Sequence, residues 1–341
     1  MLKRTTSAFL ALSVLALSLT GCTSKPAVVA TFDQGEIPAG VYILNEHSQY
    51  NQYMSYTGNA DLSFKVTEDQ TLAQVIEEDA LDAMKRYASV ESECKRLGIT
   101  LSEEEMTAIS QGAAKNYNDN KDVYSKKGIA QSSVEKTAIS SSLSYKLMEK
   151  LYGEGGELAV TKEEKEKYLN ETYRKAAVID IPLTNDEGKL LEGEEKENAK
   201  KEAKELFTSI ENGEKSFTEV FKSVNEKKGA TVPETEDAKN YSTLITKNDA
   251  RFAPDFTVSL FSDEAKELRK PFIYEAEAST YIYMVFDVLE DNFVDELGDK
   301  LIYEMKNKDF MDYLLKKSEE INLVFDEKAL KAYGIKKIAE R

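Results

Sequence analysis

Apolar residues recur along most of this chain at steps of three and four. Between 71 and 97 they fall at Leu72, Val75, Ile76, Leu81, Met84, Tyr87, Val90 and Cys94, which lays one apolar stripe along a long amphipathic helix. Gly98 stands just past the last of them, where a helix stops in the left-handed conformation that glycine tolerates. Ser102 followed by Glu105 reads as a capping box that starts the next helix, and Thr161 followed by Glu164 starts another over 161–174. Helices are also predicted over 41–56, carrying Tyr42, Tyr50, Tyr53 and Tyr56 and ended by Gly58 and Asn59, and over 132–152. Val28 to Phe32 reads as a short strand, with a turn at 33–36.

The rhythm changes after 175. Ala177 to Leu183 is a strand-like run, followed by a charged turn over 186–195 with Gly188 and Gly193. A helix over 198–212 (Ala199, Ala203, Leu206, Phe207, Ile210) and a shorter one over 217–224 come next, then a loop over 227–240 with Gly229 and Pro233. A strand at 241–245, a helix near 254–261 and two apolar runs at 271–274 and 281–289 complete the segment. Strand, helix, helix, strand, helix, strand, strand is the order of a small α+β unit. Helix returns over 297–321, and a terminal strand and helix follow from Asn322. The predicted fold class is α+β, with helical material from both chain ends flanking an inserted α+β unit.

The N-terminus reads as an export signal. Lys3 and Arg4 precede an apolar run from Ala8 to Leu19, broken only by Ser13 and Ser18, and small residues lead up to Cys22. The run is well short of the about 20 apolar residues that span a membrane. Leu19-Thr20-Gly21-Cys22 resembles the lipobox of bacterial lipoproteins, in which the leader is cut before a cysteine that carries lipid. An ordinary secretory signal with a cysteine at its cleavage site is the alternative. The resemblance implies a leader over 1–21, lipidation of Cys22, a tether over 22–27, and a mature chain held on the outer face of the cell membrane. A diacyl or triacyl group anchors stably where one chain does not.

Charge and composition narrow the chemistry. The 341 residues hold 62 acidic and 45 basic side chains, a net charge of −17 that grows more negative once Lys3 and Arg4 leave. Nucleic acid and anionic headgroups are poor partners for such a field. At 41% apolar residues the chain has material for two packed domains or one large one. Cys94 is the only cysteine besides Cys22. A lipidated Cys22 therefore leaves no internal disulfide, and Cys94 reads as a small buried apolar residue of its helix.

His47 is the single histidine, and tryptophan is absent. Zinc sites built on two or three histidines, H-E-x-x-H included, are excluded. A serine or cysteine triad would have to use His47, and no nucleophile-elbow glycine pattern accompanies it. His47 reads instead as an exposed or half-buried helix residue. Neither a phosphate loop nor a G-x-G-x-x-G turn occurs, no pair among the acidic residues stands out, and no cofactor or metal is expected.

Three segments carry a family resemblance outside the insert: Val29-Ala30-Thr31-Phe32-Asp33-Gln34-Gly35-Glu36-Ile37, the junction Cys94-Lys95-Arg96-Leu97-Gly98-Ile99-Thr100-Leu101-Ser102-Glu103-Glu104, and the closing stretch from Phe310 to Tyr333. In their order and spacing the chain resembles the extracytoplasmic foldases of the PrsA and SurA type. In that family a SurA-N-like helical chaperone module, made by both chain ends, surrounds a parvulin peptidyl-prolyl isomerase domain. The resemblance implies a helical module over 28–174 and 292–341 and a parvulin-like domain over 175–291.

Within the insert, Phe252-Ala253-Pro254-Asp255-Phe256-Thr257-Val258-Ser259-Leu260-Phe261, with Pro271 ten residues on, resembles the parvulin pattern M-x-P-x-F-x-x-x-x-F. Phe252 and Phe256 would line a proline-sized, peptide-binding pocket, or serve only as core. The resemblance places Val178 at the family's first histidine, Asn225 at its Asp or Cys, and Met284 at its second histidine. Both histidines are thus missing, and the site reads as degenerate.

Rotation about an X–Pro bond faces a barrier of about 20 kcal/mol. An enzyme lowers it by binding the twisted amide better than the planar one. An apolar grip without the polar set binds both about equally, so binding without strong turnover is expected. The first reading is a membrane-anchored chaperone or foldase that binds unfolded or newly exported polypeptides, with Tyr42, Tyr50, Tyr53, Met54 and Tyr56 as candidate contacts or core residues. The alternatives are an active parvulin-type isomerase, and a solute-binding or scaffold lipoprotein; solute-binding proteins usually show two α/β lobes, whereas this chain begins and ends helical with one α+β insert.

Overall fold

Val28–Phe32 (β1) turns directly into a second strand, Gly35–Pro38 (β2), with Ala30 opposite Ile37 and Phe32 opposite Gly35. The turn expected over 33–36 is therefore only Asp33-Gln34, and Gly35 and Glu36 belong to a hairpin. The structure is a computed structural model that describes residues 27–58, 61–262, 267–290 and 293–339. The leader, Cys22, most of the tether and Asn59 lie outside these residues.

The chain divides into two units, one of residues 1–147 and 311–341, the other of residues 148–310. In the first, β2 leads into Ala39–Thr57 (α1), followed by Leu72–Leu97 (α2), Glu103–Asp119 (α3), Lys121–Lys127 (α4) and the greater part of Gln131–Tyr152 (α5). Thr71 and Ser102 cap α2 and α3 through capping boxes with Gln74 and Glu105, and Gly58 and Gly98 close α1 and α2 at positive φ. Each box satisfies two orphan donors at a helix start, so these boundaries are set locally.

The apolar stripe of α2 packs as its spacing requires. Ala80, Met84, Tyr87 and Ala88 form one core with Val29, Ile37, Val41 and Tyr42, and Ala329 of the chain end joins them. The C-terminal part of this unit comprises residues 311–318 of Phe293–Ser318 (α10), then Val324–Phe325 (β7), Glu327–Tyr333 (α11) and Ile335–Ala339 (α12). β7 adds to β1, giving a sheet in the order β2-β1-β7. One helix was expected after the terminal strand and two form, broken at Gly334. Gly40 of α1 meets Ser133 of α5 so closely that a Cβ there would lie 2.3 Å from the Ser133 hydroxyl.

The second unit contains the end of α5, Lys162–Thr172 (α6), Arg174–Pro182 (β3), Gly193–Glu211 (α7) and Phe217–Lys227 (α8). It continues with a 3-10 turn at Ala238–Tyr241, Thr243–Ile245 (β4), Pro254–Ser259 (α9), Pro271–Glu275 (β5), Ser279–Phe286 (β6) and α10 as far as Phe310. The element order read from sequence is the one that folds. β3 starts three residues earlier than its apolar run, because Arg174 and Lys175 are strand residues facing Ile245 and Leu244, and their charges hide them from an apolar count. β6 ends at Phe286, where Asp287 accepts the Leu289 N–H at 2.8 Å and turns the chain. α10 is interrupted at Gly298, whose φ of 44° and ψ of −124° are not helical.

The sheet runs β4-β3-β6-β5 with every neighbour antiparallel. Side chains alternate across it. Ala177, Ile179, Ile181, Ile282 and Phe286 face α7 and α8 and pack on Ala203, Phe217 and Val220. Ala176, Tyr281, Tyr283 and Val285 face the other way, toward Phe256 and Leu260 around α9. The observed class is α+β, and neither unit is a parallel α/β lobe among the described strands.

Candidate functional site

The second sheet face carries the residues singled out by sequence. α9 begins with Pro254 at its first helical position, where proline's fixed φ and missing N–H cost nothing. That start sets Phe252 just before the helix and Phe256 within its first turn. Their rings meet edge to face at 5.7 Å.

Phe256 is fully buried. Tyr281 stacks on it with centroids 4.1 Å apart and planes at 22°, while Tyr283 and Tyr274 approach at 5.3 and 5.7 Å. Phe272 stacks on Tyr283 at 5.5 Å. The Tyr281 hydroxyl accepts the Ala253 N–H at 3.1 Å, and the Tyr274 hydroxyl donates to Asp255 at 3.3 Å. Burial, then the Asp255 carboxylate, raise the Tyr274 hydroxyl above the ordinary phenol value. In this conformation Phe256 is core and presents no ring face to a ligand; Phe252 and Tyr274 are half-buried and form the accessible rim. Arg251 lies over the Phe252 ring at 5.5 Å, held by a bidentate contact with Asp249.

Val178 is half-buried and packs against this aromatic cluster, directly across the ladder from Tyr283. Met284 does not join it. Met284 pairs with Ala177 and packs with Ile282 and Phe286 against α7 and α8, so the positions on the site face are Tyr281 and Tyr283. A strand has period two, and a one-residue slip in register exchanges the faces completely. The alternation Tyr281, Tyr283, Val285 against Ile282, Met284, Phe286 is visible in the sequence, but both sets are apolar enough that alternation alone does not say which faces α9. Phe272 and Tyr274, the other members of the cluster that sequence reasoning missed, follow from the same alternation in β5.

Asn225 lies in the last turn of α8, a helix packed on the opposite face. Its amide donates to the Phe221 carbonyl of its own helix at 2.8 Å. No hydrogen bond or ring contact among the described residues links it to the aromatic face. Where strand alternation continues the site face beyond Val178 stands Asp180, opposite Tyr281, with Lys228 against it at 3.7 Å.

The arrangement therefore offers aromatic carbon, two tyrosine hydroxyls already engaged and a charged rim. Among the described residues no group of three or more His, Cys, Asp or Glu side chains is placed to hold a metal ion. Val178, Tyr281 and Tyr283 line this face of the sheet.

The unit that bears this site is thus a small antiparallel α+β fold with an aromatic site face. No protein-family model and no curated protein matches the chain. Among solved structures it is similar to foldase protein PrsA from Streptococcus pneumoniae, at 16% identity and a TM-score of 0.37, over 84% of this chain and 94% of that one. It is similar to PrsA from Lactococcus lactis at 12% identity and a TM-score of 0.38, over 90% and 98%. A third similar structure comes from work on PEB4 and Cj1289, two SurA-like chaperones in Campylobacter jejuni, at 14% identity and a TM-score of 0.27, over 88% and 99%. These are the two kinds of protein that the sequence resemblance names.

Proposed function

We propose that this chain is an extracytoplasmic folding factor, lipid-anchored through Cys22, that binds unfolded exported polypeptides and has little or no peptidyl-prolyl isomerase activity. The observation that carries the reading is the stack of Tyr281 on Phe256. It fills the place where the resemblance would put a proline ring, on a sheet face with no imidazole. A face of aromatic edges holds apolar side chains in the ground state and gives little preference to a twisted amide. Phe252 and Tyr274 at the rim are the proposed peptide contacts on this unit, with Phe256 as the floor behind them.

The anchor is supported by the lipobox-like Leu19-Thr20-Gly21-Cys22 and is compatible with the described helices, none of which is long and apolar enough to cross a membrane. Of the candidate contacts on α1, Tyr42 is core, Tyr50 and Tyr53 are half-buried against Leu72 and Ile76, and Met54 and Tyr56 are exposed. The last two are available to a client.

Light scattering of an aggregating client, with no nucleotide present, tests the reading. Suppression at equimolar protein is expected; unchanged scattering refutes it. A proline-peptide isomerisation assay at micromolar protein is expected to return the uncatalysed rate, and a clear acceleration would favour the active isomerase instead.

A further inference from the structure

Glu46 of α1 is fully buried in the helical unit. One of its carboxyl oxygens accepts the Ile335 N–H, the first amide of α12, at 3.0 Å. The other, Oε2, has no hydrogen-bond partner among the described residues. A second carboxyl, Glu77 of α2, faces it. The turn into α12 comes so close to that side chain that a Cβ on Gly334 would lie 3.1 Å from Glu77 Oε1. The backbone at 334–335 therefore meets a carboxyl from each of two helices.

Of the polar groups that face Glu46, Tyr42 comes from its own helix, Glu77 from α2 and the Ile335 N–H from α12. The lysines of α11 and α12, Lys328, Lys331, Lys336 and Lys337, are exposed, and none acts on the carboxyl. No cation among the described residues thus compensates a charge there. A neutral carboxyl tolerates such a place, whereas an ionised one exchanges its hydration for two donors at most, Tyr42 and Ile335. Burial accordingly lifts the group from 4.5 to about 8.

The lid over this carboxyl is short. α12 has five residues, and Lys336 and Lys337 face solvent. Ile335 is its buried anchor, 1% exposed and packed on Leu72, Ala73 and Ile76 beside Tyr50 and Tyr53. α11 is fixed independently: Asp326 caps it through the Ala329 N–H at 2.9 Å, and Ala329 belongs to the core around β1. α12 can therefore leave at Gly334 while α11 stays.

We propose that Glu46 is a proton-gated latch for the C-terminal helix: with its carboxyl neutral it holds α12 over α1 and the start of α2, and on ionising it lets α12 swing away at Gly334, uncovering Leu72, Ile76, Tyr50 and Tyr53. The device belongs to the helical unit and does not depend on what the protein binds. Its direction follows from linkage. Undocking admits water to Glu46 and returns it toward 4.5, so the undocked fraction is insensitive to pH below that value, grows about tenfold per pH unit up to about pH 8, and is constant above.

Amide hydrogen exchange of the full chain from pH 5 to 9 tests this, with Glu46→Gln as the reference that cannot ionise. Dividing the Ile335 exchange rate of the parent by that of the variant at each pH removes the intrinsic rate of exchange. The ratio is expected to rise about tenfold per pH unit and to level off near pH 8. Ile335 should also exchange faster than the Met84 amide in the core of α2 at every pH, because undocking is local. A ratio that does not change with pH, or an Ile335 amide that exchanges no faster than Met84, overturns the proposal. The Glu46 carboxyl carbon, followed by NMR in the parent alone, decides even if the variant does not fold: titration near pH 8 is expected, and titration near 4.5 overturns the latch.

Discussion

The ring of Tyr281 lies flat against that of Phe256, 4.1 Å between centroids, and the hydroxyl of the same tyrosine holds the backbone N–H of Ala253 just before α9. One side chain thus both covers the pocket floor and fixes the segment that carries the floor. Tyr281→Phe keeps the stack and removes the acceptor, leaving the Ala253 N–H without this partner. The expected cost is about 1 kcal/mol, read by denaturant unfolding. Tyr281→Ala uncovers Phe256 at a cost of about 3–5 kcal/mol, and if the variant stays folded its affinity for proline-containing peptides should rise. A larger loss for Phe than for Ala would show that the stack is not what holds α9 on the sheet.

Glu46 is fully buried in the helical unit, accepting the Ile335 N–H at 3.0 Å. Burial raises its pKa from the ordinary 4.5 to about 8, with the Glu77 carboxylate adding to the rise and hydrogen bonds from Tyr42 and Ile335 opposing it. Below pH 4.5 folded and unfolded chains both hold the proton. From there to about pH 8 only the folded chain does, so stability falls as pH rises, by up to about 1.4 kcal/mol per pH unit, and levels off above. Glu46→Gln keeps an acceptor for Ile335 and should remove this slope. Urea midpoints measured from pH 5 to 9 check it.

Cys94 is 3% exposed, and burial, then the Glu93 and Glu91 carboxylates, push its thiol up to about 11. Thiolate is the reactive form, so a disulfide reagent at pH 8 should leave Cys94 unmodified in the native protein and label it in denaturant. Rapid native labelling would contradict the packing of α2 against α5.

The Tyr313 hydroxyl donates to Glu93 at 2.5 Å, beside Arg96 on the same carboxylate oxygen at 2.7 Å. Partial burial raises the Glu93 carboxyl, but the Arg96 and Tyr313 contacts outweigh it and hold the group below the usual range. Tyr313→Phe should cost about 1.5 kcal/mol, the lower end for a hydrogen bond to a charged group, because Arg96 still pairs with Glu93. Because these contacts hold the folded carboxyl below its ordinary value of 4.5, their contribution is present above that value and declines as the pH falls beneath it, so the difference between parent and variant should be smaller in acid. Paired unfolding curves at pH 7 and pH 3.5 measure both effects.

The local features were legible because they are written within a few residues of one another. Apolar steps of three and four, Ser102 with Glu105, Thr161 with Glu164, Gly98 and the proline before Phe256 set helix extents and the order of elements without any distant partner. The α+β class and the reuse of both chain ends followed from that order. Tertiary structure decided what depends on pairing across the chain: whether Met284 or its neighbours Tyr281 and Tyr283 face α9, whether Phe256 is open or covered, and whether Arg174 and Lys175 are strand or loop. It also decided that Glu46 is buried while His47, one residue on, lines a cleft with asparagines some 70 residues away. A strand turns to its other face at every residue and a helix by 100° at each step. Neighbours in sequence therefore meet different surroundings, and only the packed partners choose between them.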